Sequence, residues 1–301
     1  MPELHHRRSV AAGLAYISIP ILSWGISFVV IKTTMNEIPP LTLAFLRFFI
    51  ATLLVGPIFL RLAPLPKIAK GDRLPLFLLG FSGVTCYFAF ENTGLQSTSA
   101  SHGALIIATI PLCTELFDIA RQRQILRPML IIASLTALLG IFLLVGDSTG
   151  GAASLTGDLL IFGAVFSWVA YNRFVLRLMT SYPQMFLTLA IMVIGAVTLL
   201  PGALYEWFTA PYPWPSLNAW LGVGFLTVFC SILGYHCWNQ AIVHLGLSMT
   251  NNLLYLLPLL GVSSGIVFLD EPLTANVLWG SLLIIGGVAW GQYAGSRPAK
   301  A

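Results

Sequence analysis

Charge is what this sequence lacks most. Only 9% of its 301 residues are Asp, Glu, Lys or Arg, 57% are hydrophobic, and the mean hydropathy is +0.87. A soluble domain is typically about 25% charged, so this chain cannot cover a water-facing surface. Cysteine is also scarce. Cys86, Cys113, Cys230 and Cys237 all fall inside apolar runs without metal-ligand spacing. That excludes a disulfide framework and a zinc site, and leaves four small packing residues. No segment alternates polar and apolar residues with period two, which excludes a transmembrane barrel. The phosphate-binding pattern G-x-x-x-x-G-K-[ST] is missing, so the chain does not drive transport with ATP by itself. His102, His236 and His244 are scattered and have no paired acids beside them. The chain therefore reads as a non-enzyme with no cofactor and no metal.

What the sequence has is long apolar runs. Ten stand out, at about 10–32, 41–62, 74–93, 101–119, 128–146, 156–177, 184–205, 217–240, 248–269 and 275–294. At 1.5 Å rise per residue, runs of about 20 residues span a hydrocarbon core of about 30 Å. An all-α integral membrane protein of ten transmembrane helices is expected. The N-terminal run has no short apolar core with a small-residue cleavage site, so it reads as a retained anchor. With the N-terminus inside, every Lys and Arg except Lys32 and Arg47 lies at or beside an inside segment. The positive-inside rule then puts both termini in the cytoplasm of a multi-pass inner-membrane protein. The net charge of +4 is an orientation signal, and no nucleic-acid partner is implied.

The chain also repeats itself. At a shift of 147 residues Asn92 falls on Asn239, Ser101 on Ser248, Pro111 on Pro258 and Gly140 on Gly287. Leu112/Leu259, Leu126/Leu273 and Leu135/Leu282 keep the same register, and Tyr87 meets Tyr235 with a one-residue slip. Ser23-Trp24 matches Ser167-Trp168 at a nearby shift. Five helices per half is an odd number, so the second half enters the membrane from the opposite side. The expected organisation is a first repeat over 1–146, an external Gly/Ser/Thr-rich linker over 147–158, and a second repeat over 159–301.

An inverted repeat places a carrier's site near the midplane. The candidate substrate-binding side chains are Trp24, Tyr87, Trp168, Tyr171, Trp238, Asn239, Asn251 and Tyr255. Rings with a few amides suit an uncharged or zwitterionic solute, and the alternative is that they only pack helices together. Arg47 lies six residues into helix two, about 9 Å below the outer surface, where a charge facing lipid is unfavourable. Glu91 shares a face with Tyr87 at i,i+4. One expectation is that Arg47 and Glu91 pair when the cavity is closed to the outside. Another is that Glu91 is a protonatable coupling site tuned by Arg47. Pro111 and Pro258 interrupt helices four and nine and are candidates for gating, or for packing kinks alone. Lys32 is expected to snorkel to the headgroups. Glu115 and Asp118 are expected to pair with arginines of the 121–127 loop. Loop 206–216 reads as an interfacial aromatic belt. The helix-ten glycines permit close contact within or between protomers, so the chain is a monomer or a homodimer.

Taken together, these residues resemble the drug/metabolite transporter superfamily, and within it the EamA-type ten-helix exporters. The resemblance rests on Ser23-Trp24-Gly25, Arg47-Phe48, Phe90-Glu91-Asn92, Leu95, the Ser97–Ser101 run, Pro111 and Pro258. Asp270-Glu271-Pro272-Leu273-Thr274 and the glycines of helix ten complete it. It implies a membrane exporter of small metabolites, amino acids or drugs, with a central cavity lined by helices one, three, four, six, eight and nine. The partners would be a small-molecule solute and membrane lipid. A passive facilitator or channel is the alternative. Where the family pattern leads one to expect a first-half acid equivalent to Glu271, this sequence has Gln124.

Overall fold

Ten helices form wherever the apolar runs fall. The computed structural model describes residues 9–122, 128–147, 154–209 and 212–295, and no strand occurs among them. We name the helices α1 (Val10–Thr34), α2 (Pro40–Leu62), α3 (Lys70–Ser97), α4 (Ala100–Arg121), α5 (Pro128–Asp147), α6 (Leu155–Leu178), α7 (Gln184–Thr209), α8 (Leu217–Leu245), α9 (Leu247–Leu269) and α10 (Ala275–Gly295). Eight of these are long and apolar enough to cross a membrane. The other two, α5 and α10, have 20 and 21 residues, enough for about 30 Å of helix.

Local chemistry sets the helix ends. Ser9, Ser99, Ser154 and Ser216 cap α1, α4, α6 and α8, each accepting a backbone N–H of the first turn. These bonds satisfy donors that a helix start leaves open. Pro40 begins α2, where its missing N–H costs nothing. Gly246, at φ 82°, is both the end of α8 and the cap of α9, a conformation that glycine adopts without strain. Three helix starts on one membrane face also receive a carboxylate from elsewhere. Glu206 accepts from the Leu41 and Thr42 amides at 3.0 and 2.7 Å. Glu37 takes the Ser216 amide at 2.6 Å, and that bond, then the Ser216 hydroxyl, holds its carboxyl below the usual range. Glu271 caps α4. We call this the glutamate face. The opposite, basic face carries Arg61, Lys67, Lys70, Arg73, Arg121 and Arg177.

The repeat is visible in the packing. Each of α2/α7, α4/α9 and α5/α10 is a pair of corresponding helices lying against each other, and α1 lies on α8 as α6 lies on α3. Exchanging the halves leaves this neighbour pattern unchanged, which is the signature of an inverted repeat. A Cβ on Gly140 would sit 2.7 Å from the Gly280 carbonyl, and one on Gly287 would sit 2.7 Å from the Ala137 amide. These corresponding glycines bring α5 and α10 together within one chain. The interruptions correspond as well. α3 passes through a π-type stretch at Phe81–Cys86 and α8 through one at Leu226–Leu233. α4 breaks at Ala108–Thr109 and α9 at the 3-10 turn Leu253–Leu256, just ahead of Pro111 and Pro258.

Several expectations need correction. α3 and α8 run on to Ser97 and Leu245, so Glu91, Asn92 and Tyr235–Asn239 lie deeper than the apolar runs alone suggest. Gln96 and Ser97 of α3, and Asn239 and Gln240 of α8, interrupt the apolar runs and hid the true ends. Lys32 does not snorkel. It is half-buried and its Nζ donates to the Thr98 carbonyl at 2.5 Å. Asp118 pairs with Arg173 of α6, a partner not expected from the sequence. Gln124, Leu126, Arg123 and Arg127 lie outside the described residues, as do residues 148–153 of the 147–158 linker.

Candidate functional site

The two π-type stretches build the centre of the molecule. A π turn breaks the regular backbone ladder and leaves carbonyls in need of donors. In α8 the Cys230 carbonyl takes the Trp24 indole N–H at 3.0 Å, and the Phe229 carbonyl takes the Ser23 hydroxyl at 3.3 Å. In α3 the Gly83 carbonyl takes the Tyr235 hydroxyl. Each π stretch is thus completed by a side chain from the other half. Ser231, within the α8 stretch, accepts Arg47 Nε at 2.9 Å.

Rings gather around these bonds. Trp24 meets Trp168 edge-on with centroids 5.4 Å apart, and Trp238 packs 5.5 Å from both. Trp168 also contacts Tyr87 at 5.2 Å, Tyr171 at 4.7 Å and Tyr235 at 5.8 Å. Against this cluster lies a cavity of about 30 Å³, lined by Trp24, Ser27, Phe28, Arg47, Tyr87, Phe88, Glu91, Ile107, Ile110, Trp168, Tyr235, Leu254 and Leu257. That is room for one or two waters. Much of its lining pairs by repeat. Trp24 faces Trp168, Tyr87 faces Tyr235, Ile107 corresponds to Leu254, and Ile110 to Leu257. The last four lie in or beside the breaks in α4 and α9, so both broken helices open onto the cavity.

The charges in the lining break this symmetry. Arg47 is 1% exposed and Glu91 3%, and both come from the first half. Their expected ion pair is not formed. Among the described residues Glu91 Oε1 accepts the Tyr87 hydroxyl at 2.9 Å, while the Arg47 guanidinium lies 4.2 Å from the centroid of the Phe88 ring. A cation over a ring face in a desolvated site is held by the ring quadrupole, and Ser231 fixes its orientation. Two donors in the lining, Arg47 Nη1 and Trp168 Nε1, have no partner among the described residues.

Of the candidate binding residues, Trp24, Tyr87 and Trp168 line the cavity, as do Arg47 and Glu91. Tyr171 and Trp238 belong to the ring cluster one layer away, and Asn239 accepts the Tyr171 hydroxyl at 2.8 Å. Asn251 accepts from Asn172 at 3.4 Å on the basic-face side, and Tyr255 sits in the 3-10 turn of α9. None of these five lines the cavity. Pro111 and Pro258 are buried one residue beyond Ile110 and Leu257. Tyr235, Phe88, Ser231 and the four aliphatic lining residues were missed. The 147-residue shift pairs the aliphatic ones and so could have flagged them.

The EamA-like transporter family matches the chain over residues 11–146 and 155–290. An uncharacterized transporter of Archaeoglobus fulgidus is 27% identical over 277 residues, covering 90% of this chain and 94% of the relative. A probable amino-acid metabolite efflux pump of Salmonella typhimurium is 27% identical over 285 residues, covering 89% and 90%. Its Escherichia coli namesake is 25% identical over 292 residues, with the same coverage. A protein crystal structure 20% identical superposes with a TM-score of 0.68 over 96% of this chain and 99% of that one, which shows the shared fold. The ten helices, the paired halves and both matched segments agree: the chain belongs to the EamA-like transporter family.

Proposed function

We propose that the chain is a secondary transporter of the cell's inner membrane that exports small metabolites, such as amino acids or amphipathic drugs, by alternating access. One observation carries this reading. The central cavity lies between corresponding elements of the two halves, is flanked by two broken helices, and offers a buried cation, a buried carboxylate and unpartnered donors. A solute bearing a carboxylate would find Arg47 and the Trp168 N–H, and an ammonium group would find Glu91. Trp24, Tyr87 and Trp168 would stack on its apolar part. Tyr171, Trp238, Asn239, Asn251 and Tyr255 would brace that layer, with Pro111 and Pro258 as hinges.

At about 30 Å³ the cavity holds no metabolite, so solute would be admitted only when half-helices of α4 or α9 swing aside. That favours a carrier over an open channel. The relatives named as amino-acid metabolite efflux pumps support the substrate class. The basic face would be cytoplasmic, with both termini on it. The test is counterflow in proteoliposomes. Saturable exchange of an amino acid or amphipathic drug is expected, and flux that never saturates and shows no exchange would replace the carrier with a channel.

A further inference from the structure

The path from the cavity to the glutamate face is shut by two successive layers. Nearest the cavity, Gly103 packs on Leu95 and Phe28, and Gly261 packs on Ala104 so closely that a Cβ would lie 2.2 Å away. Beyond this apolar plug comes a polar layer. Asp270 ends α9 in the left-handed conformation at φ 52°, the one positive-φ residue other than glycine among the described residues. The Glu271 amide returns to the Gly265 carbonyl at 3.2 Å. This turn aims the Glu271 side chain back across the helix end onto the start of α4.

There the carboxylate accepts the Ala100 amide at 2.6 Å, the Ser101 amide at 3.0 Å and the Ser101 hydroxyl at 2.6 Å. A carboxylate at a helix N-terminus gains both charge-assisted bonds and the helix dipole. Gly265 leaves the room for it, since a Cβ there would come within 2.5 Å of Glu271 Oε2. The neighbouring turn is tied down too. Lys32 of α1 holds the Thr98 carbonyl, and the Thr98 hydroxyl donates to Asp158 of α6 at 2.5 Å. His102 of α4 lies 3.3 Å from the same carboxylate.

On the basic-face side of the ring cluster the described hydrogen bonds between helices are longer. Asn172 reaches Asn251, and Asn239 reaches Thr188, each at 3.4 Å. We infer that Glu271 is a latch: its carboxylate, bridging the α9–α10 turn to the first turn of α4, holds the cavity shut towards the glutamate face. This deepens the alternating-access reading, because opening on that face must part α4 from α9 and break all three bonds.

The test reads the latch without any substrate, so it stands or falls apart from transport. In the full chain, with Cys86, Cys113, Cys230 and Cys237 replaced by alanine, Ser27→Cys places a thiol in the cavity wall. A membrane-impermeant thiol reagent is added from each side of oriented vesicles. Glu271→Gln should raise labelling from the glutamate face by about tenfold or more, the scale of a lost charge-assisted bond, without a rise from the basic face. Gly265→Ala, which displaces the carboxylate and keeps its charge, should act in the same direction. Glu206→Gln removes a similar helix-capping carboxylate at α2, away from the cavity, and should change nothing. If Glu271→Gln does not fold, Glu271→Asp carries the same test by withdrawing the carboxylate one methylene. Unchanged labelling in folded latch variants, or an equal rise from both faces, overturns the latch.

Discussion

Trp24 and Trp168 occupy corresponding positions in the two halves and touch each other edge-on, at 84° and 5.4 Å between ring centroids, yet their indole N–H groups have different fates. That of Trp24 is bonded to the Cys230 carbonyl of the α8 π stretch. The corresponding carbonyl in α3, at Gly83, is already taken by the Tyr235 hydroxyl. Trp168 is left with an N–H that has no partner among the described residues and a ring that lines the cavity. One tryptophan completes the scaffold, and in the proposed transporter the other would offer its donor to the solute.

Replacement by phenylalanine should separate these roles. Trp24→Phe strands a buried carbonyl and should lower unfolding stability by about 1–3 kcal/mol, seen as a lower Tm. Trp168→Phe breaks no bond between described residues, so it should fold with little loss while weakening solute affinity by about tenfold. Trp220→Ala, outside the ring cluster, is the control for affinity and should leave it unchanged. Equal Tm losses in Trp24→Phe and Trp168→Phe, with unchanged affinity in both, would assign the two tryptophans the same structural role.

Arg47 should not tolerate lysine. Its Nε bonds Ser231 and its plane covers Phe88, and an ammonium group offers neither that fixed donor nor a flat face. We expect Arg47→Lys to fold, judged by Tm, and to lose about tenfold or more in counterflow rate, by analogy with other oriented charge contacts. Ser231→Ala should cost less, because the ring stacking survives. Full activity in Arg47→Lys would mean that the site needs only a positive charge at that depth.

Gly140 and Gly287 make a sharper statement about the fold. The Cβ added by alanine at either would meet backbone of the opposite helix at 2.7 Å, so the helices themselves must move apart. Gly140→Ala and Gly287→Ala should each destabilise by about 1–3 kcal/mol, the usual cost of overpacking. The double variant should cost less than the sum, since one displacement relieves both. Thermal unfolding of the four proteins checks this.

Much of this architecture was legible beforehand because hydrophobicity fixes where a membrane helix must lie. The ends of α2, α4, α5, α6, α9 and α10 fall close to the apolar runs, whereas α3, α7 and α8 run several residues further, beyond the points where polar residues such as Glu206 and Gln240 interrupt the runs. The ring cluster was legible too, since large aromatics at matching places in two repeats converge. Tyr235 was read as a repeat marker although it lines the cavity, because a π-type stretch cannot be seen in a helical periodicity. The roles of Glu37, Glu206 and Glu271 were hidden for another reason. Each caps a helix distant in sequence, and only the fold brings carboxylate and helix start together.

Orientation follows from charge and is directly measurable. Asn36, in the turn after α1, lies on the glutamate face, and Ala69 lies on the basic face before α3. Cysteines placed singly at these positions should react with an impermeant reagent from opposite sides of intact cells, Asn36→Cys from outside. Labelling of Asn36→Cys from the cytoplasm would reverse the assignment of inner and outer faces while leaving the fold intact.

Variants of Glu91 test how the proposed transport would be driven. Its carboxylate is buried in the cavity wall, bonded to the Tyr87 hydroxyl and unpaired with Arg47. A buried carboxylate in the cavity wall, placed between the two halves, is the group we would test as the coupling site. If Glu91 carries the coupling proton, Glu91→Gln mimics the protonated state. It should then retain solute exchange without a pH gradient and lose the acceleration that a gradient gives the wild-type protein. If instead Glu91 separates from and rejoins Arg47 as a gate, Glu91→Gln should slow exchange with and without a gradient. The charge swap Arg47→Glu with Glu91→Arg should then restore part of the rate. We expect the first outcome, since Arg47 is held in place by Ser231 and Phe88 and forms no ion pair with Glu91 in this structure. Counterflow and gradient-driven uptake, measured side by side on the same vesicles, distinguish the two. Wild-type rates in both assays for Glu91→Gln would remove Glu91 from the mechanism altogether.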